Sequence, residues 1–175
     1  MAVTFGGVGT FTLVGNYSKA DTGVSLPGLV NYTNSPTMYT SGSGDYQVNA
    51  AWISLGRSLA AAGESHDLFG GLVDVYGTTL NFTAIKQLFI RSYATSALGA
   101  AVRYLRLSGT FLDGDTNNLG PLGGASAVVA YLGPGGSFLW DSPIDGATCA
   151  NGAKDVLTVT NAATFTYDII ILGVI

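Results

Sequence analysis

Charge is scarce in this sequence. Of 175 residues, 7 are Lys or Arg and 11 are Asp or Glu, which is 10% of the chain, where ordinary soluble domains carry about 25%. A monomer of this size exposes roughly 8,000 Å² of surface, so its charges lie at about one per 450 Å², thinner than a free-living surface normally has. With a mean hydropathy of +0.38, a bilayer or neighbouring subunits must take up the uncharged surface. Long hydrophobic runs are missing as well. The two longest charge-free stretches, residues 22–44 and 116–140, are dense in glycine and carry Pro27, Pro36, Pro121 and Pro134. Neither makes the roughly 20-residue apolar helix that spans a membrane. The first cation is Lys19, so no basic region precedes an apolar stretch and no secretory signal is expected. No membrane partner is expected, and burial in an assembly remains.

Basic residues, cysteine and histidine are also few, and each shortage excludes a class. The net charge is −4, and among seven scattered cations only Arg103 and Arg106 stand close together. Nothing there neutralises a row of phosphates, so no nucleic-acid partner is expected. The single cysteine, Cys149, rules out an internal disulfide framework and reads as a small buried or turn residue. The single histidine, His66, follows Glu64 and Ser65 and precedes Asp67. A hydrolytic triad is assembled across a fold rather than along a strand, and adjacent strand side chains face opposite ways. His66 is therefore read as a surface or strand-end residue. The eleven acids form no recognisable pair for glycoside hydrolysis.

Asp113, Asp115 and Asn117 stand at alternate positions, as at the start of a calcium loop. Asn118 occupies the place of that loop's sixth-position glycine and Gly124 the place of its closing glutamate. A solvated turn is the preferred reading. The glycine clusters at 6–9 and 120–124 lack the strand-to-helix context and the lysine of a phosphate-binding loop. No catalytic, cofactor-binding or metal-binding residue is assigned, no cofactor is expected, and the chain is read as non-enzymatic.

What the chain has in quantity is glycine, 25 residues of it, punctuating segments rich in Val, Ile, Thr, Tyr and Phe with period-2 alternation. That is a strand signature. Strands are expected at 10–14, 46–54, 66–69, 80–91, 101–107, 127–132, 137–140, 156–160 and 164–172. Residues 58–62 favour helix in composition but stand between Gly56 and Gly63, and 67–76 has room for one short turn. The expected fold is all-β: a single-domain antiparallel β-sandwich, jelly-roll-like, over residues 45–175. Residues 1–44, with few strong strands, form either an extended N-terminal arm or a long edge of the sandwich. At the C-terminus, alternation from Thr164 passes into the continuous apolar run of residues 169–172. A strand that changes this way goes from half-exposed to fully buried, so the last strand is expected to be central or covered by an interface.

Three linked pieces carry a resemblance. The first is DLFGGLVDVYG at 67–77 running into TLNFTAIK at 79–86. The second is GPGGSFLW at 133–140 with a Pro-x-x-Gly turn from Pro143 to Gly146. The third is DVLTVTN at 155–161 leading to TYDIIILG at 166–173. In this order and spacing, over roughly residues 65 to 175, they resemble small jelly-roll structural proteins encoded in tailed bacteriophage and prophage head gene clusters. The resemblance implies a virion component on the capsid surface, a decoration or cement protein or a head fibre, whose partners are a major capsid protein or other virion subunit and further copies of itself. A homo-oligomer, a trimer first, would match three-fold positions on an icosahedral shell. The alternative is a lectin-like carbohydrate-binding sandwich serving host adsorption.

Overall fold

The computed structural model describes residues 7–9, 12–17, 28–33, 37–60, 63–74, 76–94, 104–113, 121, 130–161 and 165–175. These form sixteen strands and one four-residue helix. The strands are β1 (Gly7–Gly9), β2 (Thr12–Tyr17), β3 (Gly28–Thr33), β4 (Thr37–Ser41), β5 (Gln47–Val48), β6 (Ala50–Leu59), β7 (Glu64–Asp67) and β8 (Phe69–Val73). They continue with β9 (Thr79–Asn81), β10 (Ala84–Ser92), β11 (Leu105–Ser108), β12 (Ala130–Leu132), β13 (Ser137–Asp141), β14 (Ala147–Thr148), β15 (Val156–Thr160) and β16 (Phe165–Val174). The helix α1 (Thr110–Asp113) follows β11.

Two antiparallel sheets make the body. One has the order β13-β10-β16-β6, with β14 also pairing β10, and the other the order β12-β11-β15-β7. Counted in chain order, the eight principal strands place the first, eighth, third and sixth in one sheet and the second, seventh, fourth and fifth in the other. That arrangement is a jelly roll. The fold is therefore an all-β sandwich. Each part of the nine expected strands that lies within the described residues meets an observed strand, and β15 spans the residues expected of it.

Alternation fills the space between the sheets. Leu88 and Ile90 of β10, Tyr167, Ile169 and Ile171 of β16, Leu105 and Leu107 of β11, and Leu157 and Val159 of β15 are fully buried in one continuous core. Tight turns join the strands, as where Gly136 N–H donates to the Gly133 carbonyl at 2.9 Å ahead of β13.

The last strand is central, paired with β10 on one side and β6 on the other. Its second face is covered too. Leu172 is packed under Tyr39 of β4 and Val48 of β5, with Ala51 and Ile170 beside them. The Tyr39 hydroxyl donates to the Lys86 carbonyl at 3.1 Å and to the Asp141 carboxylate, so it ties β4 to β10 and β13. Apolar burial on both faces is what the uninterrupted run at 169–172 encodes.

Three stretches gain detail. Where 67–76 has room for one short turn, β8 pairs with β9 as a hairpin, and Gly77 N–H donates to the Asp74 carbonyl at 3.1 Å. Residues 58 and 59 continue β6, because pairing with β16 overrides a weak helical preference. The glycine- and threonine-rich first 45 residues contain β1 to β4, with β2 and β3 forming a hairpin. Pairing requires only that backbone groups meet, and small polar residues permit it without announcing it.

Gly173 shows how tightly β16 is held. A Cβ there would stand 2.4 Å from the Ala84 carbonyl oxygen and 2.8 Å from the Phe82 ring. Gly173→Ala is expected to destabilise the fold by about 1–3 kcal/mol, and removal of residues 171–175, which takes out buried Ile171, Leu172 and Val174, to abolish it. Urea unfolding followed by circular dichroism checks both; a truncated chain with a cooperative transition would contradict the second.

Candidate functional site

The residues singled out by chemistry separate on the two sides of β7. His66 points into the sandwich and is 3% exposed, while Asp67 faces out. The reading of His66 as a surface or strand-end residue is corrected: it lies within β7, which lets alternate side chains enter the core, and it is satisfied there. Its Nε2 is 2.8 Å from the Tyr167 hydroxyl, which donates to Glu64. Arg57 Nε donates to both Glu64 oxygens at 2.8 Å. The Trp52 ring lies 5.0 Å from the imidazole, and the Arg57 guanidinium stacks over that same ring at 5.7 Å.

This cluster takes residues from both sheets, His66 and Glu64 from β7 and Trp52, Arg57 and Tyr167 from β6 and β16. Burial holds the imidazole neutral and pushes its pKa down to about 4, against the pull of Glu64. Burial alone would raise Glu64, but hydrogen bonds from Arg57 and Tyr167 hold its carboxyl below the usual range. An imidazole and a phenol sealed between sheets have no face open to a substrate. The cluster is a polar clamp that satisfies groups which would otherwise be orphaned at the β6–β7 edge.

Elsewhere, Cys149 is buried, and burial pushes its thiol up to about 12, so it stays protonated. Asp155 accepts from Gly152 N–H, and Asn161 Nδ2 donates to the Tyr104 carbonyl at 2.9 Å, closing the two ends of β15. Asp113 ends α1, while Asp115, Asn117 and Asn118 lie outside the described residues, as do Gly120 and 122–124. Among the described residues no group of three or more His, Cys, Asp and Glu side chains could hold a metal ion, and no helix is long and apolar enough to cross a membrane.

The two outer faces of the sandwich differ, and this difference is the functional feature that sequence reasoning missed. On the β12-β11-β15-β7 sheet the outward positions are mostly polar: Ser65 and Asp67 on β7, Thr158 and Thr160 on β15, Arg106 and Ser108 on β11, with Val156 on β15 and Tyr131 on β12. On the β13-β10-β16-β6 sheet the register aligns Leu139, Phe89, Ile170 and Ile53 in one row across all four strands. Ile53 and Leu139 are each 46% exposed and neighbouring Leu55 is 65% exposed. On one side of this row lie Ala51, Leu172 and Gln87, where β4 and β5 cover the sheet. On the other, Asp168 accepts from Gly56 N–H and from the Tyr93 hydroxyl, both at 2.7 Å, and Arg91 stacks on Tyr93 at 5.1 Å. The signal lay in the sequence: 51–53 and 88–90 are apolar at both parities, as in strands covered on both faces.

Comparison with protein-family models, curated proteins and solved structures finds no match to the chain.

The clamp makes stability depend on acid in a defined direction. His66 takes up a proton near 6.5 when unfolded and near 4 when folded, so stability falls as pH drops across that window, on the order of 3 kcal/mol in all. Glu64 acts in the same direction at lower pH, since its folded value lies below its unfolded one. His66→Gln is expected to flatten the dependence between about pH 6.5 and 4.5, as read from urea midpoints. An equal slope in the variant would place the sensitivity elsewhere.

Proposed function

We propose that this chain is a non-enzymatic virion structural protein, a capsid decoration or cement protein that binds a phage head from outside and stabilises it. The single observation that carries the reading is the contrast between the outer faces: one is mostly polar, and the other presents Ile53, Ile170, Phe89 and Leu139 in a cross-strand row. Water-facing strand positions in a free sandwich are normally polar, and contiguous exposed apolar patches mark contact surfaces. The 10% charge content fits the same role, since a face with few charges seats against a neighbour without stripping water from ions. The resemblance in residues 65 to 175 supplies the phage head as the setting.

Magnitude shapes the mode of attachment. Four strands about 4.8 Å apart give a row about 15 Å wide, a foothold smaller than the roughly 800 Å² per partner of a stable specific interface. Attachment then depends on several linked footholds, whose effective concentration turns modest contacts into persistent ones. A homo-oligomer on the shell supplies them, and the major capsid protein or another virion subunit receives them. The localisation that follows is the capsid surface.

The test compares phage particles made with and without the chain. Particles lacking it are expected to assemble but to rupture at lower temperature, and Ile53→Lys with Leu139→Lys is expected to lose retention on such particles at least tenfold, which is about 1.4 kcal/mol, while the fold survives. Particles that are equally robust without the chain yet fail to adsorb to host cells would replace this reading with the carbohydrate-binding one.

A further inference from the structure

Among the described residues the sandwich has four edge strands, β13 and β6 in one sheet and β12 and β7 in the other. An edge strand exposes unpaired backbone groups, and proteins blunt such edges with brevity, charge, proline or bulges. β12 has three residues; β7 has four, including Glu64 and Asp67; β13 has five and ends in Asp141. β6 is different. It has ten residues, and from Ala50 to Leu55 it carries neither charge nor proline. Among the described strands it pairs only with β16. The bulge falls at the end of this stretch, where Leu55 and Gly56 together stand opposite Asp168 and Gly56 adopts φ +62°.

We infer that β6 pairs antiparallel with β6 of a second copy of this chain, joining two four-stranded sheets into one across a two-fold axis. A two-fold axis makes one edge its own partner, and main-chain pairing along an open edge is a recurrent mode of association. Charge permits it, because the one charge on β6, Arg57, is neutralised within its own chain by Glu64 at 2.7 Å. Paired β6 strands therefore bring no unpaired like charges of their own together.

Side-chain alternation fixes the register. Facing residues in a continuous sheet share a face, so the pairing must centre on a residue rather than between two. Centred on Ile53, it sets Ile53 beside Ile53, and Leu55 beside the small Ala51, on the apolar outer face. The row Leu139-Phe89-Ile170-Ile53 then doubles in length across the axis. An isologous contact closes with two copies; a trimer needs a different contact.

The contact is small. Five residues at about 3.4 Å each give a length of about 17 Å, and two layers about 10 Å apart give a depth of about 20 Å, so about 700 Å² is buried in total, under the ~1,200 Å² of stable complexes. Association in free solution is accordingly weak, and the pairing strengthens where copies are held side by side. The inference rests on the reading of the chain as a self-associating surface protein, but its test needs no particle.

Cross-linking captures such a contact. Directly opposed strand residues have Cβ atoms about 4.5–5.5 Å apart, within reach of a disulfide after small adjustment. Ile53→Cys is expected to form a covalent dimer under mild oxidation, and Ala51→Cys mixed with Leu55→Cys a second one. Leu139→Cys is the control, since Leu139 and Ile53 are both 46% exposed and random collision would link them equally. Native Cys149 is 4% exposed and stays out of the reaction. Equal cross-linking of Leu139→Cys, or none for Ile53→Cys, would overturn the pairing. A chain that fails to cross-link yet still binds particles would lose the pairing and keep the attachment, and a cross-linked dimer indifferent to particles would do the reverse.

Discussion

Burial of β16 on both faces is the constraint from which the rest of the molecule follows. Ile169 and Ile171 enter the sandwich core on one side, and Leu172 is covered by Tyr39 and Val48 on the other. Each such side chain is worth roughly 1.5–3 kcal/mol when buried, a large share of a domain stability of ~5–15 kcal/mol. Such a strand is best covered at the middle of a sheet, and β16 sits there, between β6 and β10. Once it does, the jelly-roll order is set, because the last strand then lies between the first and third of the eight. The same requirement explains why the chain recruits β4 and β5 as an outer cover and fastens it through the Tyr39 hydroxyl.

That cover is partial, and its limit leaves an apolar surface exposed. It covers Leu172 and Ala51 and reaches Ile170 in the next row, whose outer members Ile53 and Leu139 remain exposed. The outer face thus has a part buried by the chain's own strands and an exposed apolar part, bounded by the Asp168, Tyr93 and Arg91 cluster. The opposite sheet turns serine, threonine and arginine outward and needs no cover. The polar clamp at the β6–β7 edge serves a different end, since Arg57, Glu64, Tyr167 and His66 hold the two sheets together where the core thins.

Much of the fold was legible because its signals are local. Alternation marked β15 and β16, the glycine clusters marked the turns, and the run at 169–172 marked a strand covered on both sides. What escaped depends on residues far apart in sequence. His66 looked like an isolated polar residue because its partners Tyr167 and Arg57 arrive from other strands, 101 and 9 positions away. The apolar row escaped for the same reason, since Ile53, Phe89, Leu139 and Ile170 share a face only through the pairing register. The strands β3 and β4 were hard to read for a third reason: glycine, asparagine and serine, which have weak strand preference, interrupt and flank their Val, Tyr and Thr.

The central claim is that the apolar row on the β13-β10-β16-β6 sheet faces the surface to which the chain attaches. Hydroxyl-radical footprinting of free and particle-bound protein measures this side chain by side chain. Ile53, Phe89 and Leu139 should lose labelling on binding while Arg106 and Tyr131 of the opposite sheet keep theirs. Unchanged labelling of the row, with protection of Tyr131 and Arg106 instead, would contradict the account.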